Sequence, residues 1–228
     1  MFSFWALLVR LYLDWFGYYQ QQQQQKRGQF IVIEGVDGVG KSTLARQLVD
    51  MFNGGEKRAV LWSFPRKNSP TGRVIDDHFK GNLPRLNPFE LCLLFVRNRE
   101  EALTEIEALL DAGKVIVCER FWMSGAAYSI ARGLGDAEWC TANEPEEVKR
   151  VPDVTVLLDG IDVALKAKRK PEEDKNVVAK RENFMRNVAQ NYNNLFAMVK
   201  IPGKYIKIEL RGHGYIHKDV FDLINNKI

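Results

Sequence analysis

Cysteine and histidine are scarce in this 228-residue chain, three of each, and the scarcity excludes several chemistries at once. Cys92, Cys118 and Cys140 are odd in number and fit no metal-ligand spacing. They read as reduced thiols of a cytosolic-type compartment, not as a disulfide framework or a zinc site. His213 and His217 stand four apart without a third ligand nearby, which makes them a surface pair. Charge of one sign is lacking too. The net charge is +4 and opposite charges are mixed along most of the chain, so no nucleic-acid-binding stripe is indicated. No internal repeat is present. The apolar stretch Met1 to Tyr19 is interrupted by Arg10 and Asp14 and falls short of the roughly 20 residues of a membrane span. It shows no small-residue cleavage site and has few arginines for a transit peptide. Gln20 to Gln25 form a polar low-complexity run that reads as a linker. The expectation is a loosely docked N-terminal extension and linker over 1–26, ahead of a cytoplasmic-type domain over 27–228. An interfacial membrane helix, through the Trp, Phe and Tyr of the extension, is the alternative.

What the chain does contain suits one α/β domain: 46% apolar and 27% charged residues, at a length that supports a sizeable core. Gln29 to Glu34 is a short apolar run ending at Gly35, the mark of a buried parallel strand. A helix over Lys41 to Asn53 follows, closed by Gly54-Gly55. Further strands are expected at Arg58 to Phe64, Lys114 to Cys118, Asp153 to Leu158 and Tyr205 to Leu210. One long helix is expected over about Asn87 to Ala112, and a last one near His217 to Asn226. Strand and helix alternate without hairpin signals, so the sheet should be parallel and covered on both faces.

Gly35-Val36-Asp37-Gly38-Val39-Gly40-Lys41-Ser42 satisfies G-x-x-x-x-G-K-[ST], between a strand and a helix as that motif requires. Its glycines let backbone N–H groups wrap phosphates at a helix N-terminus, with Thr43 continuing the turn. Lys41 is placed to reach the β- and γ-phosphates of ATP, and the Ser42 hydroxyl to ligate Mg²⁺. The chain has no Asn-Lys-x-Asp segment of guanine-specific switches and is short for a motor, which leaves a small kinase.

Three further segments carry a resemblance: Phe64-Pro65-Arg66-Lys67 with Thr71-Gly72; Leu93-Leu94-Phe95-Val96-Arg97-Asn98-Arg99; and Glu119-Arg120-Phe121-Trp122-Met123-Ser124-Gly125. With the phosphate loop they resemble the thymidylate kinase family over about residues 27–195. The resemblance implies a nucleoside monophosphate kinase fold with sheet order 2-3-1-4-5, a mobile lid, Mg²⁺·ATP as donor, dTMP as acceptor and a homodimer packed through the first helices. It also implies a cis Phe64–Pro65 bond, with a basic residue, Arg66 or Lys67, meeting the monophosphate. Phe95 and Arg99, four apart on a helix, share a face. There the ring would stack on thymine and the guanidinium would donate to O4, whereas the amino group of cytosine would face it badly. Asp37 would bind the acceptor's 3′-hydroxyl, Tyr128 would crowd C2′ of the sugar, and Ser124 and Gly125 complete the acceptor set with Phe64. Glu119 stands where the family usually has Asp and would hold Mg²⁺ with Ser42, the extra methylene absorbing the distance. Arg120 would neutralise the phosphates.

Family members that have Gly at the position of Gly38 draw their catalytic cation from the lid. The candidate lid is about 166–180, with Lys168-Arg169-Lys170, and Arg169 is the first choice for its planar, permanent charge. Arg181 stands where the family often has Tyr. Two other readings are open: a deoxynucleoside kinase, which needs a base such as Glu34 or Glu119, and a catalytically silent nucleotide-binding protein.

Overall fold

A computed structural model describes residues 10, 27–55, 58–150, 152–168, 174–198, 203–210 and 222–224. Apart from Arg10, the N-terminal extension lies outside them, as do Arg169, the centre of the proposed lid, His213 and His217, and most of the expected last helix.

Five strands form one parallel sheet in the order β2-β3-β1-β4-β5: β1 Gln29–Glu34, β2 Ala59–Ser63, β3 Val115–Glu119, β4 Val154–Asp159 and β5 Lys204–Glu209. Burial explains the order. β1 is buried at every position and β3 and β4 at all but their last, as central strands covered on both faces require. β2 and β5 mix exposed and buried positions, as edges do. Each strand lies within about a residue of the span expected from the apolar runs.

Helix α1, Lys41–Asn53, starts at Gly40, whose φ is 100°, and buries Leu44, Ala45, Leu48 and Phe52 against the sheet. α2, Pro70–Lys80, is capped by the Ser69 hydroxyl, which accepts from the Gly72 N–H. α3, Pro88–Glu100, opens on an Asn87–Glu90 capping box. α4, Leu103–Asp111, follows it. The single helix expected over 87–112 is thus two, with the break at Glu101–Ala102 and neither Gly nor Pro to announce it. At the break the Ala102 N–H bonds the Arg99 carbonyl three residues back at 3.1 Å, and the Glu101 carboxylate reaches out to Thr71, accepting from Oγ1 at 2.8 Å. Beyond β3 come α5 Trp122–Ala131, α6 Ala137–Ala142, α7 Glu146–Arg150, α8 Ile161–Lys168 and the 24-residue α9 Lys175–Met198. Among the described residues no helix is long and apolar enough to cross a membrane.

The register brings Ile33 opposite Glu119, and the Arg120 N–H donates to the Ile33 carbonyl at 2.9 Å. The phosphate loop after β1 and the Glu119-Arg120 pair after β3 therefore leave the same edge of the sheet side by side, at the carboxyl ends where open α/β sheets hold ligands.

Candidate active site

The phosphate loop has Gly35, Gly38 and Gly40 at φ of 137°, 91° and 100°. α1 has no side-chain cap, unlike α2, α3 and α6, and no acidic residue in its first turn, which leaves its N-terminus suited to an anion. Val36 and Val39 are buried beneath the loop, and Thr43 faces out. Lys41 is 3% exposed and donates from Nζ to the Val36 carbonyl at 2.7 Å. Burial and then the Arg120 charge pull its pKa down to about 8, against the attraction of Asp37, Glu119 and Glu34. Ser42 donates from Oγ to Glu119 Oε2 at 2.7 Å, so the two groups expected to hold Mg²⁺ meet. Among the described residues no group of three His, Cys, Asp or Glu could hold a metal by itself, and nucleotide and water would supply the remaining ligands.

Beside the loop opens a cavity of about 310 Å³. Its walls include Asp37, Phe64, Phe95, Arg99, Arg120, Ser124, Gly125 and Tyr128, eight of the ten residues assigned to the acceptor from the sequence. Arg120 is the hinge of the arrangement. Its φ is 66°, uncommon for a residue with a side chain. The guanidinium pairs with Asp37, donates to Ser124 Oγ at 3.1 Å and to the Tyr192 hydroxyl at 3.3 Å, and lies 5.4 Å from the Tyr128 ring centre. The Tyr128 hydroxyl donates to the other Asp37 oxygen at 3.2 Å. Burial would raise the Asp37 pKa, but Arg120, Lys41 and Lys168 together hold it below the usual carboxylate range.

Behind Arg120 lies Glu34, fully buried. It accepts from the Phe121 and Ser124 N–H groups at 2.9 and 3.2 Å, from Ser124 Oγ at 2.5 Å and from the Tyr192 hydroxyl at 3.4 Å. Burial raises its pKa, opposed by the Ser124 hydrogen bond and the Arg120 charge.

Two assigned residues are not brought to the cavity. Arg66 lies over the Trp62 ring at 3.7 Å and pairs with Glu105 at 3.0 Å; Lys67 pairs with Asp76 at 3.2 Å. The Phe64–Pro65 bond is cis. The turn that follows is pinned by Asn98, a residue the sequence reading gave no role. Its Oδ1 accepts from the Arg66 N–H at 2.7 Å, and its Nδ2 donates to Ser69 Oγ at 2.8 Å and Thr71 Oγ1 at 3.0 Å. A Cβ on Gly72 would stand 1.7 Å from the Arg66 carbonyl, so only glycine lets α2 start this close.

Among the described residues of the proposed lid, Lys168, at the end of α8, meets the phosphate loop. Its Nζ is 3.8 Å from Asp37 Oδ2, and its chain lies where a side chain on Gly38 would project: a Cβ there would be 3.3 Å from Lys168 Cγ. Arg132 also lines the cavity, 5.5 Å from the Tyr128 ring centre and 5.7 Å from that of Phe184 on α9.

The thymidylate kinase family profile matches residues 33–211. The chain belongs to the thymidylate kinase family. It is 31% identical to the thymidylate kinase of Schizosaccharomyces pombe over 205 residues, covering 89% of this chain and 94% of that one. It is 30% identical to the Danio rerio enzyme over 203 residues, 89% and 92% of the two chains. The solved structure of thymidylate kinase from Candida albicans superposes with a TM-score of 0.62 over 88% of this chain and 90% of that one, at 24% identity, and shows the same fold. As a member of this family the protein is an ATP-dependent kinase that converts dTMP to dTDP.

Proposed function

We propose that this thymidylate kinase binds the dTMP base in the cavity between Phe95 and Arg99 and ATP on the Gly35–Ser42 loop, with Arg120 serving both. The carrying observation is Arg120 itself, which lines the cavity and pairs with Asp37 of the phosphate loop. Acceptor phosphate and γ-phosphate would thus meet over one guanidinium. The acceptor oxygen is already ionised near neutral pH, so no general base is needed. Lys41, Arg120 and Lys168 are the cations that spread the charge of the transferring group. Lys168, which lies over Gly38, is the candidate lid cation among the described residues, beside the Arg169 expected from the sequence. Ser42 and Glu119 would hold Mg²⁺, which when bound neutralises phosphate charge. Tyr128 and Asp37 meet the sugar, while Arg66 and Lys67 stand outside the cavity, paired with Glu105 and Asp76.

The kinase domain would run from about residue 27, with its lid over 166–180. A homodimer is part of this reading; α2 and α3 pack together and leave Val74 and Leu93 exposed for it. Its free thiols Cys92, Cys118 and Cys140 suit a reducing, cytosolic-type compartment. The deoxynucleoside kinase alternative is disfavoured because both candidate bases are engaged: Glu34 accepts four hydrogen bonds and Glu119 accepts from Ser42.

A coupled ADP-release assay on the full chain tests this, with dTMP, dUMP, dCMP and thymidine in separate reactions and Lys41→Ala as control. Turnover with dTMP, weaker with dUMP and absent with dCMP and thymidine, is expected. Turnover with thymidine in place of dTMP would reverse the acceptor assignment, and ATP binding without turnover on any acceptor would leave the silent nucleotide-binding reading.

A further inference from the structure

Arg99 is gripped by a residue outside every recognised motif. Glu144 lies in the turn between α6 and α7, 45 residues from Arg99, and the two side chains are 4% and 3% exposed. Glu144 Oε1 accepts from Nε at 2.5 Å and Oε2 from Nη2 at 2.6 Å. This side-on, two-point grip uses the Nε edge of the guanidinium. Among the described residues Nη1 has no hydrogen-bond partner, and Arg99 forms part of the cavity wall. The opposite side is closed by Gly125, where a Cβ would stand 3.0 Å from both Nη1 and Nη2, so the missing side chain makes room for the guanidinium. The turn carrying Glu144 is braced in its own right. Lys149, 5% exposed, donates to the Thr141 carbonyl at 3.0 Å and pairs with Glu146 at 2.6 Å.

We propose that Glu144 is the positioning residue for acceptor selectivity: it locks the Arg99 guanidinium so that Nη1 faces the base, and cancels its charge there. The inference rests on the reading that the cavity takes the base of dTMP. A guanidinium held on one edge by a carboxylate and against α5 by Gly125 presents donors only, in one plane. Thymine meets such donors with a carbonyl, whereas cytosine meets them with an amino group, leaving two donors opposed and unpaired in a buried site. Without Glu144 the guanidinium is an uncompensated buried charge that turns toward any acceptor in reach.

The test uses the full chain with Glu144→Gln, Glu144→Asp, Arg99→Met and the Arg99→Met/Glu144→Gln pair. Readouts are kcat and KM for dTMP, KM for ATP, inhibition by dCMP and the melting temperature. Glu144→Gln should raise KM for dTMP by about tenfold or more and narrow the dTMP-over-dCMP preference by a similar factor. Its kcat and KM for ATP should stay within about threefold of wild type, a split that loss of stability alone does not produce. Glu144→Asp, which keeps the charge one methylene short, should restore part of the affinity. On the Arg99→Met background Glu144→Gln should add nothing to KM. A folded Glu144→Gln with wild-type KM and preference, or effects of the two substitutions that multiply, would overturn the proposal. Should Glu144→Gln not fold, Glu144→Asp decides: a raised KM for dTMP supports the inference and unchanged KM and preference sink it. Wild-type protein inactive on dTMP would instead refute the acceptor assignment, so the two failures are distinguishable.

Discussion

The acceptor and donor halves of the site are held in opposite ways. On the acceptor side polar groups are satisfied inside the fold: Glu34 by four donors, Asn98 by the 66–71 turn, Arg99 by Glu144. On the donor side, charge is crowded. Lys41 is buried close enough to Arg120 for the two cations to repel, and Lys168 stands at 3.8 Å from Asp37, beyond hydrogen-bond distance. On the proposed reading, the acceptor pocket would discriminate because its polar groups are already held, and the donor loop carries unfavourable charge that bound polyphosphate would relieve.

Breaking the donor side should give the largest effects. Lys41→Met should lower turnover by roughly 10³-fold. It should also stabilise the nucleotide-free protein. The folded pKa of about 8 lies below the usual 10.5, so at pH 7 the penalty of the buried ammonium is fully present, and it fades as pH rises from 8 to 10.5. The gain should be roughly 1–3 kcal/mol in denaturant melts at pH 7, and smaller at pH 9.5. A variant destabilised at pH 7 would erase the contrast. Lys168→Ala should come next, lowering kcat by roughly 10- to 100-fold with a smaller change in KM for dTMP. If Arg169→Ala does this and Lys168→Ala does not, the donor cation is misassigned. The pH dependence sharpens the same point: 1/KM for ATP should fall about tenfold per unit above pH 8, as Lys41 loses its charge, while 1/KM for dTMP stays flatter. Lys41→Arg should flatten the ATP profile. The smallest effect belongs to the acceptor side. Tyr192→Phe removes one hydroxyl from the network of Glu34, Ser124 and Arg120 and should cost about 1 kcal/mol of stability, with kcat changed only a few-fold.

Much of the fold was legible because its signals are local. β1, the phosphate loop and α1 follow from an apolar run, glycine punctuation and a 3.6-residue period, and both elements begin and end where those signals place them. The break at Glu101–Ala102 was not legible, since neither Gly nor Pro marks it and the Glu101 contact with Thr71 at that point is tertiary. Arg66 and Lys67 carry the right charge in the right segment, but Trp62, Glu105 and Asp76 take up their side chains. Residue type favoured Arg169, which lies outside the described residues, while the closeness of Lys168 to Gly38 is a packing fact that no motif announces. Glu144 gave no signal, because what marks it is a partner 45 residues away.

Helix α3 ties several of these parts to one rod. Phe95 faces the cavity, Asn98 holds the 66–71 turn and Arg99 meets Glu144, all within five consecutive residues. A helix advances about 100° per residue, so one residue inserted or deleted between 95 and 99 would rotate at least one of the three away from its partner. A point substitution here disturbs one contact at a time, whereas a change of length disturbs several: this stretch should keep its residue count, while the connection can grow or shrink at 83–85, between the cap of α2 and the capping box of α3.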